Sequence, residues 1–357
     1  MKSDLRKPVA LGFRMPAEWE RHEATWLAWP HEKTDWPGKF APIPHLYAEV
    51  VRHLARVERV RILVRHRAEE DSVRRLLRRE GANLDAVEFF RAGTDRSWTR
   101  DYGPIFLKNG RGEIAATHWL FNGWAKYDNY RKDAAAFKPL LRRTRIRVWQ
   151  PRYLDGGKER CIVLEGGSIE VNGRGTLLTT EECQLSAVQA RNPGLSRNDL
   201  ERIFRDYLGV RHVLWLARGI AGDDTHGHVD DLARFVDPTT VVAVSEMNES
   251  DANYEALGEN LARLREMRDQ DGHALRVAIL PMPEPVFFHG QRLPASYANF
   301  YIANRLVLVP VFNDANDRVA LNTLAELFAD REVVGIPCRD LVLGLGALHC
   351  MTQQQPA

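Results

Sequence analysis

Residues 222–231, read GDDTHGHVDD, set two histidines and four carboxylates within ten positions. Apolar runs at 213–216 and 232–236 flank them. Charge of this density is not core, because each unpaired buried charge costs on the order of several kcal/mol. If the segment is extended, His226, His228 and Asp230 lie two apart and share one face. Three readings stay open from this stretch alone. It is a polar loop; or a zinc site built on His226, His228 and Asp230; or a metal-free acid/base site centred on His228 and Asp230. The zinc reading makes the protein a zinc-dependent hydrolase. It lacks a ligand where Asp231 stands, and the later His273, His289 and His349 show no ligand spacing.

A chain of 357 residues, 44% hydrophobic and 27% charged, has ample material for a buried core. Net charge is +2, with acids interleaved among the arginines. Arg74, Arg75, Arg78 and Arg79 fall on one predicted helix and read as a solvated face, so no nucleic-acid partner is expected. No apolar run is long enough to span a bilayer. The N-terminal stretch MKSDLRKPVALGF lacks a leader's apolar core, which predicts a cytoplasmic protein without membrane attachment. Cys161, Cys183, Cys338 and Cys350 form no CxxC pair and are expected as free thiols. The first three sit in or beside strand-like runs and read as small core residues. Cys350 follows the glycine-rich run 344–347, where a bend would present its thiol.

The elements that must position these groups recur. A unit of strand, helix, strand, loop and strand appears about five times, its first strands starting near residues 60, 114, 176, 241 and 306. Such units bury their sheets against one another, and a closed ring is the natural architecture. The whole chain, 1–357, then forms a single α/β domain. The fifth unit lacks its last strand, and the spare strand at 24–29 is expected to supply it. The loop after each unit's second strand carries Asp101, Glu165, His228 with Asp230, Asn299 and Cys350. A ring would bring these together at its axis.

A thiol, a histidine and three carboxylates make an unusual set. Acids around a thiol raise its pKa, so the sulfur becomes a nucleophile only if the substrate brings positive charge. A planar guanidinium fits, since two carboxylates can clamp it through paired charge-assisted hydrogen bonds. That favours thiol attack on a guanidinium carbon.

Six motifs carry a resemblance that runs nearly the length of the chain. They are MPAEWERHEATWLAWP (15–30), SWTRDYGP (97–104), LEGGSIEVNGRGTLLTTEECQL (164–185), GHVD (227–230), SYANFYIAN (296–304) and LHCMTQQQPA (348–357). Together they resemble the agmatine deiminase and bacterial-type peptidylarginine deiminase family, within the guanidine-modifying penteins. The resemblance implies a five-bladed pseudo-symmetric α/β propeller. It implies Cys350 as nucleophile, Asp101 and Asp230 as the guanidinium clamp and His228 as general acid/base. Glu165 would hold His228 or a guanidinium nitrogen. It also implies a small cationic guanidine as substrate, agmatine foremost, and hence a place in putrescine and polyamine biosynthesis. No metal or organic cofactor is implied.

Trp98 and His226 are taken as pocket-lining, Trp124 and Tyr102 as further aromatic candidates, and Asn299 as a supporting residue. His226, Asp231 and the segment 121–130 depart from the family pattern and are expected to bear on the substrate, with arginine, peptidylarginine or another guanidine as alternatives. Oligomeric state is left open, a homodimer included.

Overall fold

The computed structural model describes residues 6–144 and 146–357. Residues 1–5, part of the stretch read for a leader, lie outside the described residues. Strands and helices alternate along the chain, and the described strands form mixed sheets. In one, Glu170–Val171 runs antiparallel to Thr176–Thr180, the chain crosses through helix Arg197–Leu208, and His212–Leu216 returns parallel, with Leu178 opposite Leu214. Parallel pairing needs such a crossover. The helix is fixed at both ends: Ser196 and Asp199 form a capping box, and Gly209 closes it at φ 70°.

The same order of hairpin, helix and parallel strand recurs. Ala233–Phe235, Thr240–Ser245 and Arg276–Pro281 make one sheet around helix Tyr254–Glu266. Tyr301–Ala303, Leu306–Val311 and Glu332–Pro337 make another around helix Asp317–Leu327. The strand Leu306–Val311 is buried from Leu306 to Pro310 without polar alternation, as a strand covered on both faces must be. Ile105–Asn109, Ile114–Thr117 and Arg147–Trp149 repeat the order, with Phe13–Arg14 added at the edge.

The sheet that joins the termini corrects the expected phase of the repeat. Gln353–Pro356 pairs antiparallel with His22–Ala28, which continues in parallel to Arg59–Val64 and Val87–Arg91. The strand near residue 24 therefore does lie against the C-terminal unit. The last unit nevertheless has its own final strand, Gln353–Pro356, which the polar run QQQP hid. Each strand that follows a site loop opens the next sheet instead of closing its own, as Ile105–Asn109 does against Ile114–Thr117.

Smaller corrections have local causes. The loop at 93–100 ends in a short helix, Thr99–Tyr102, which carries Asp101. The helix expected over 133–141 is two, Asp133–Ala136 and Lys138–Arg143, because Pro139 restarts it. The strand expected over 114–121 stops at Thr117. Cys161 lies half-buried at the end of a hairpin, Arg152–Asp155 with Lys158–Cys161, rather than in the core. Cys183 and Cys338 are buried, and all four cysteines are unpaired. No described helix is long and apolar enough to cross a membrane.

Candidate active site

Five chain segments converge on one point, and Gly167 marks it. A methyl group built on Gly167 would lie 2.6 Å from His228 Nδ1, 2.9 Å from Asp101 Oδ1 and 3.0 Å from Asp230 Oδ2. No other residue fits, so this glycine sets how closely the three groups approach.

Asp101 sits on the helix Thr99–Tyr102, which is tied to the C-terminal turn. Thr99 Oγ1 donates to the Met351 carbonyl at 2.7 Å, and Arg100 N donates to the Cys350 carbonyl at 3.2 Å. The carboxylate of Asp101 accepts from Gly167 N at 3.1 Å and from Trp124 Nε1 at 2.8 Å. Burial pushes this carboxyl up to about 6, with His228 opposing the shift and Asp230 and Glu165 adding to it.

His228 is held by its backbone. Asp223 Oδ2 accepts from Gly227 N at 2.7 Å and His228 N at 3.1 Å, folding residues 223–228 into a tight turn. The imidazole lies between two acids, Nδ1 3.8 Å from Asp101 Oδ1 and Nε2 3.7 Å from Glu165 Oε2. Burial works against its charge, but Asp101, Cys183 and Glu165 outweigh it and hold His228 well above the usual histidine range. Glu165 is anchored on its other oxygen by Arg191 Nε at 3.1 Å. Burial raises its carboxyl, yet Arg191 and His228 prevail and bring it to about 2.

Cys350 follows a glycine-rich turn that hugs two tryptophans. A methyl on Gly344 would fall 2.7 Å from Trp36, and one on Gly346 would fall 2.9 Å from Trp98. Asn299 clamps the turn: its Oδ1 accepts from His349 N at 2.9 Å, and its Nδ2 donates to Cys350 Sγ at 3.1 Å and Asp231 Oδ1 at 2.9 Å. The sulfur is 3.7 Å from Asp230 Oδ2. Burial, then Asp230, Asp231 and Asp101, push the thiol well up, so it rests protonated until positive charge arrives. Cys350, Asp101 and Trp98 line a cavity of about 340 Å³, together with Trp124, Tyr127 and other residues. Beside it, Glu165 Oε2, Asp230 Oδ1 and both His228 nitrogens make no hydrogen bond to any described residue. Such buried orphans are what a guanidinium and a water would satisfy.

Sequence reasoning missed the support behind Asp230. His349 places Nδ1 2.7 Å from Asp230 Oδ2 and Nε2 2.9 Å from Glu18 Oε2, so each of its two nitrogens faces a carboxylate. Glu18 also accepts from Arg100 Nη2 at 3.1 Å and Arg234 Nη2 at 2.9 Å, and Arg234 Nε donates to Glu170 at 2.7 Å. Burial raises Glu18 and Asp230, but Arg234, His349 and Arg100 for the first, and His349 for the second, keep both low. The only sequence signal was an acid in the motif 15–30 and a histidine beside the thiol. We expect His349→Gln to lower kcat/KM by about 10²-fold and stability by about 3 kcal/mol, since its single amide NH2 can serve only one of the two buried carboxylates and its oxygen would face the other. Thermal melts and turnover check this, and a variant equal to wild type in both would contradict it.

Two expected site residues are elsewhere. His226 does not line the cavity: its Nε2 lies 3.2 Å from Ser186 Oγ, and it borders a surface depression with Glu182 and Arg218. Asp231 is buried behind Asn299, where burial with Asp230 and Asp223 nearby pushes its carboxyl far up. Of the segment 121–130, Trp124 and Tyr127 do line the cavity. Tyr102 is core, packed on Phe121 and Phe137. The zinc set fails on geometry, since His226 turns away and Asp230 is engaged by His349. Among the described residues the donors that cluster with His228 are Glu165 and Cys183.

The sequence profile of the Porphyromonas-type peptidyl-arginine deiminase family matches residues 14–356. An agmatine deiminase of Pseudomonas aeruginosa (strain LESB58) is 36% identical, the match covering 100% of this chain and 99% of that one. The solved agmatine deiminase of Enterococcus faecalis superimposes with a TM-score of 0.88 at 33% identity, over 98% of each chain. A putative arginine deiminase of Porphyromonas gingivalis gives 0.83 at 36%, over 96% of this chain and 98% of that one. A cysteine, a histidine and acids drawn from distant loops to one cavity thus occur in a chain matched end to end, and it belongs to the Porphyromonas-type peptidyl-arginine deiminase family.

Proposed function

We propose that this protein is an agmatine deiminase, hydrolysing the guanidinium of agmatine to N-carbamoylputrescine and ammonia. The observation that carries the chemistry is the meeting of Asp101, His228 and Asp230 around Gly167 beside the Cys350 sulfur. What points to agmatine is the set of full-length relatives bearing that name.

In this reading Asp101 and Asp230 grip the guanidinium, whose charge lowers the thiol's pKa where it is otherwise raised. As the guanidinium binds, the Cys350 thiol gives up its proton to solvent, and the thiolate attacks the guanidinium carbon. His228, resting as the cation, protonates the departing amino group, and ammonia leaves a thiouronium on the sulfur. Neutral His228 then takes a proton from water as the water attacks the same carbon, and the carbon–sulfur bond breaks to release the ureido product while the adduct's hydroxyl proton passes to the departing sulfur. Glu165, fixed by Arg191, keeps the imidazole oriented through both halves. The residues need no metal or organic cofactor for these steps.

Further parts belong to the same proposal. The recurring sheets are five blades of one propeller domain spanning 1–357, joined where Gln353–Pro356 meets His22–Ala28. Four unpaired cysteines suit a reducing, cytoplasmic setting.

The direct test is an ammonia-release screen over agmatine, arginine, 4-guanidinobutyrate and arginyl peptides. The reading expects agmatine to lead, and a clear preference for arginine or a peptide would replace it. A pH profile tests the clamp. Asp101 ionises near 6, so below that pH it is protonated and no longer pairs with the cation. We expect kcat/KM for agmatine to fall about tenfold per unit below about pH 6. A flat profile down to about pH 5 would contradict this.

A further inference from the structure

The cavity extends beyond the residues around the sulfur, and its wall there carries Asp35, Arg96, Tyr127 and Asp224. The two carboxylates differ. Asp224 is fully engaged, with Lys126 Nζ on one oxygen and the Tyr127 hydroxyl on the other. Asp35 is engaged on one side only. Arg96 Nη1 donates to its Oδ1 at 2.5 Å, while Oδ2 makes no hydrogen bond to any described residue, although the side chain is only 2% exposed. A buried carboxylate oxygen without a donor is costly and rare, and in a cavity wall it is the place for a ligand's donor.

Arg96 does not fill that role or compete for it. Its guanidinium carbon lies 4.3 Å from the centroid of the Tyr127 ring, and Nη2 donates to Asn129 Oδ1 at 3.3 Å. Its charge is already matched by Asp35. Arg96 thus holds the carboxylate in place through Oδ1 and leaves Oδ2 without a donor. The Trp124 ring in the same cavity wall would flank an incoming cation.

We propose that Asp35 forms a second subsite, which binds a cationic group at the far end of the substrate. The site thereby selects guanidines that carry a distal ammonium over those with a neutral or anionic tail. A methyl tail would leave Oδ2 unpaired, and a carboxylate tail would meet Asp35 and Asp224 together. This rests on the deiminase reading and adds to it the residue that chooses among guanidines.

The test compares agmatine with n-pentylguanidine, in which a methyl replaces the ammonium at equal length. Wild type is expected to prefer agmatine by about 10- to 100-fold in kcat/KM, as a charge-assisted hydrogen bond implies. Asp35→Asn should lower kcat/KM for agmatine at least about tenfold through KM, with kcat held, and leave n-pentylguanidine within about twofold. A merely structural Asp35 would depress both substrates alike, and that result overturns the proposal, as does a variant with unchanged preference. If Asp35→Asn does not fold, Arg96→Gln decides. Without Arg96 the buried carboxylate loses the cation that keeps it charged and in place, so the preference for agmatine should fall, and an unchanged or higher ratio overturns the subsite. A wild type indifferent between the two substrates also overturns it and leaves the deiminase intact. A wild type inactive on every guanidine overturns both.

Discussion

Cys350→Ala is expected to abolish ammonia release, by at least about 10⁴-fold in kcat, while agmatine still binds. The cavity, the clamp and His228 all persist in the variant, because Asn299 holds the turn through backbone groups of His349 and Cys350 as well as through the sulfur. The thiol rests protonated and uncharged, so its removal costs only the sulfur's packing and its contact with Asn299 Nδ2, and the variant should fold as wild type does. Steady-state turnover and titration calorimetry check both halves. Residual activity within about tenfold of wild type would mean that water attacks the guanidinium without a covalent step.

Asp101→Asn and Asp230→Asn are each expected to lower kcat/KM by at least about 10²-fold. The reason goes beyond lost charge. Asp101 accepts from two fixed donors, Gly167 N and Trp124 Nε1, one on each oxygen. Asparagine can accept from only one of them and must set its amide N–H against the other. Asp230 faces His349 Nδ1 with Oδ2 and keeps Oδ1 open. An amide there would present N–H groups to the N–H groups of the guanidinium. Kinetics on both variants, with circular dichroism to confirm folding, check this. Either variant within about fivefold of wild type would remove that residue from the clamp.

Most strands and helices were legible because their signals are local. The run at 176–180 alternates nothing and is buried throughout, and Ser196 with Asp199 announces a helix start. Cys350 and His228 stood out by chemistry and by the motifs around them. The errors at the site come from backbone conformation and pairing that periodicity does not show. His226, His228 and Asp230 share one face only on an extended backbone. Gly227 at φ 91° and His226 at φ 63° break it, and residues Val229–Asp231 coil into a 3₁₀ turn. The alternate spacing therefore sends His226 outward and brings His228 and Asp230 in.

Distance along the chain hid the support of the site. Glu18, Arg100, Arg234 and His349 are separated by up to hundreds of positions, and each alone looks like an ordinary charged residue. Their pairing exists only once the sheets have brought Gln353–Pro356 beside His22–Ala28. Asp231 reads as a loop acid in sequence, yet it is buried against Asn299 because the turn before it tucks it inward.

The proposed reaction depends on a bond between the Cys350 sulfur and the guanidinium carbon. Acid quenching during agmatine turnover, followed by intact-mass and peptide mass spectrometry, looks for it directly. The expected result is a protein heavier by one agmatine less one ammonia, with the added mass on the peptide that contains Cys350. Active enzyme that shows no adduct at any quench time, or one carried by Cys183 instead, would contradict the mechanism.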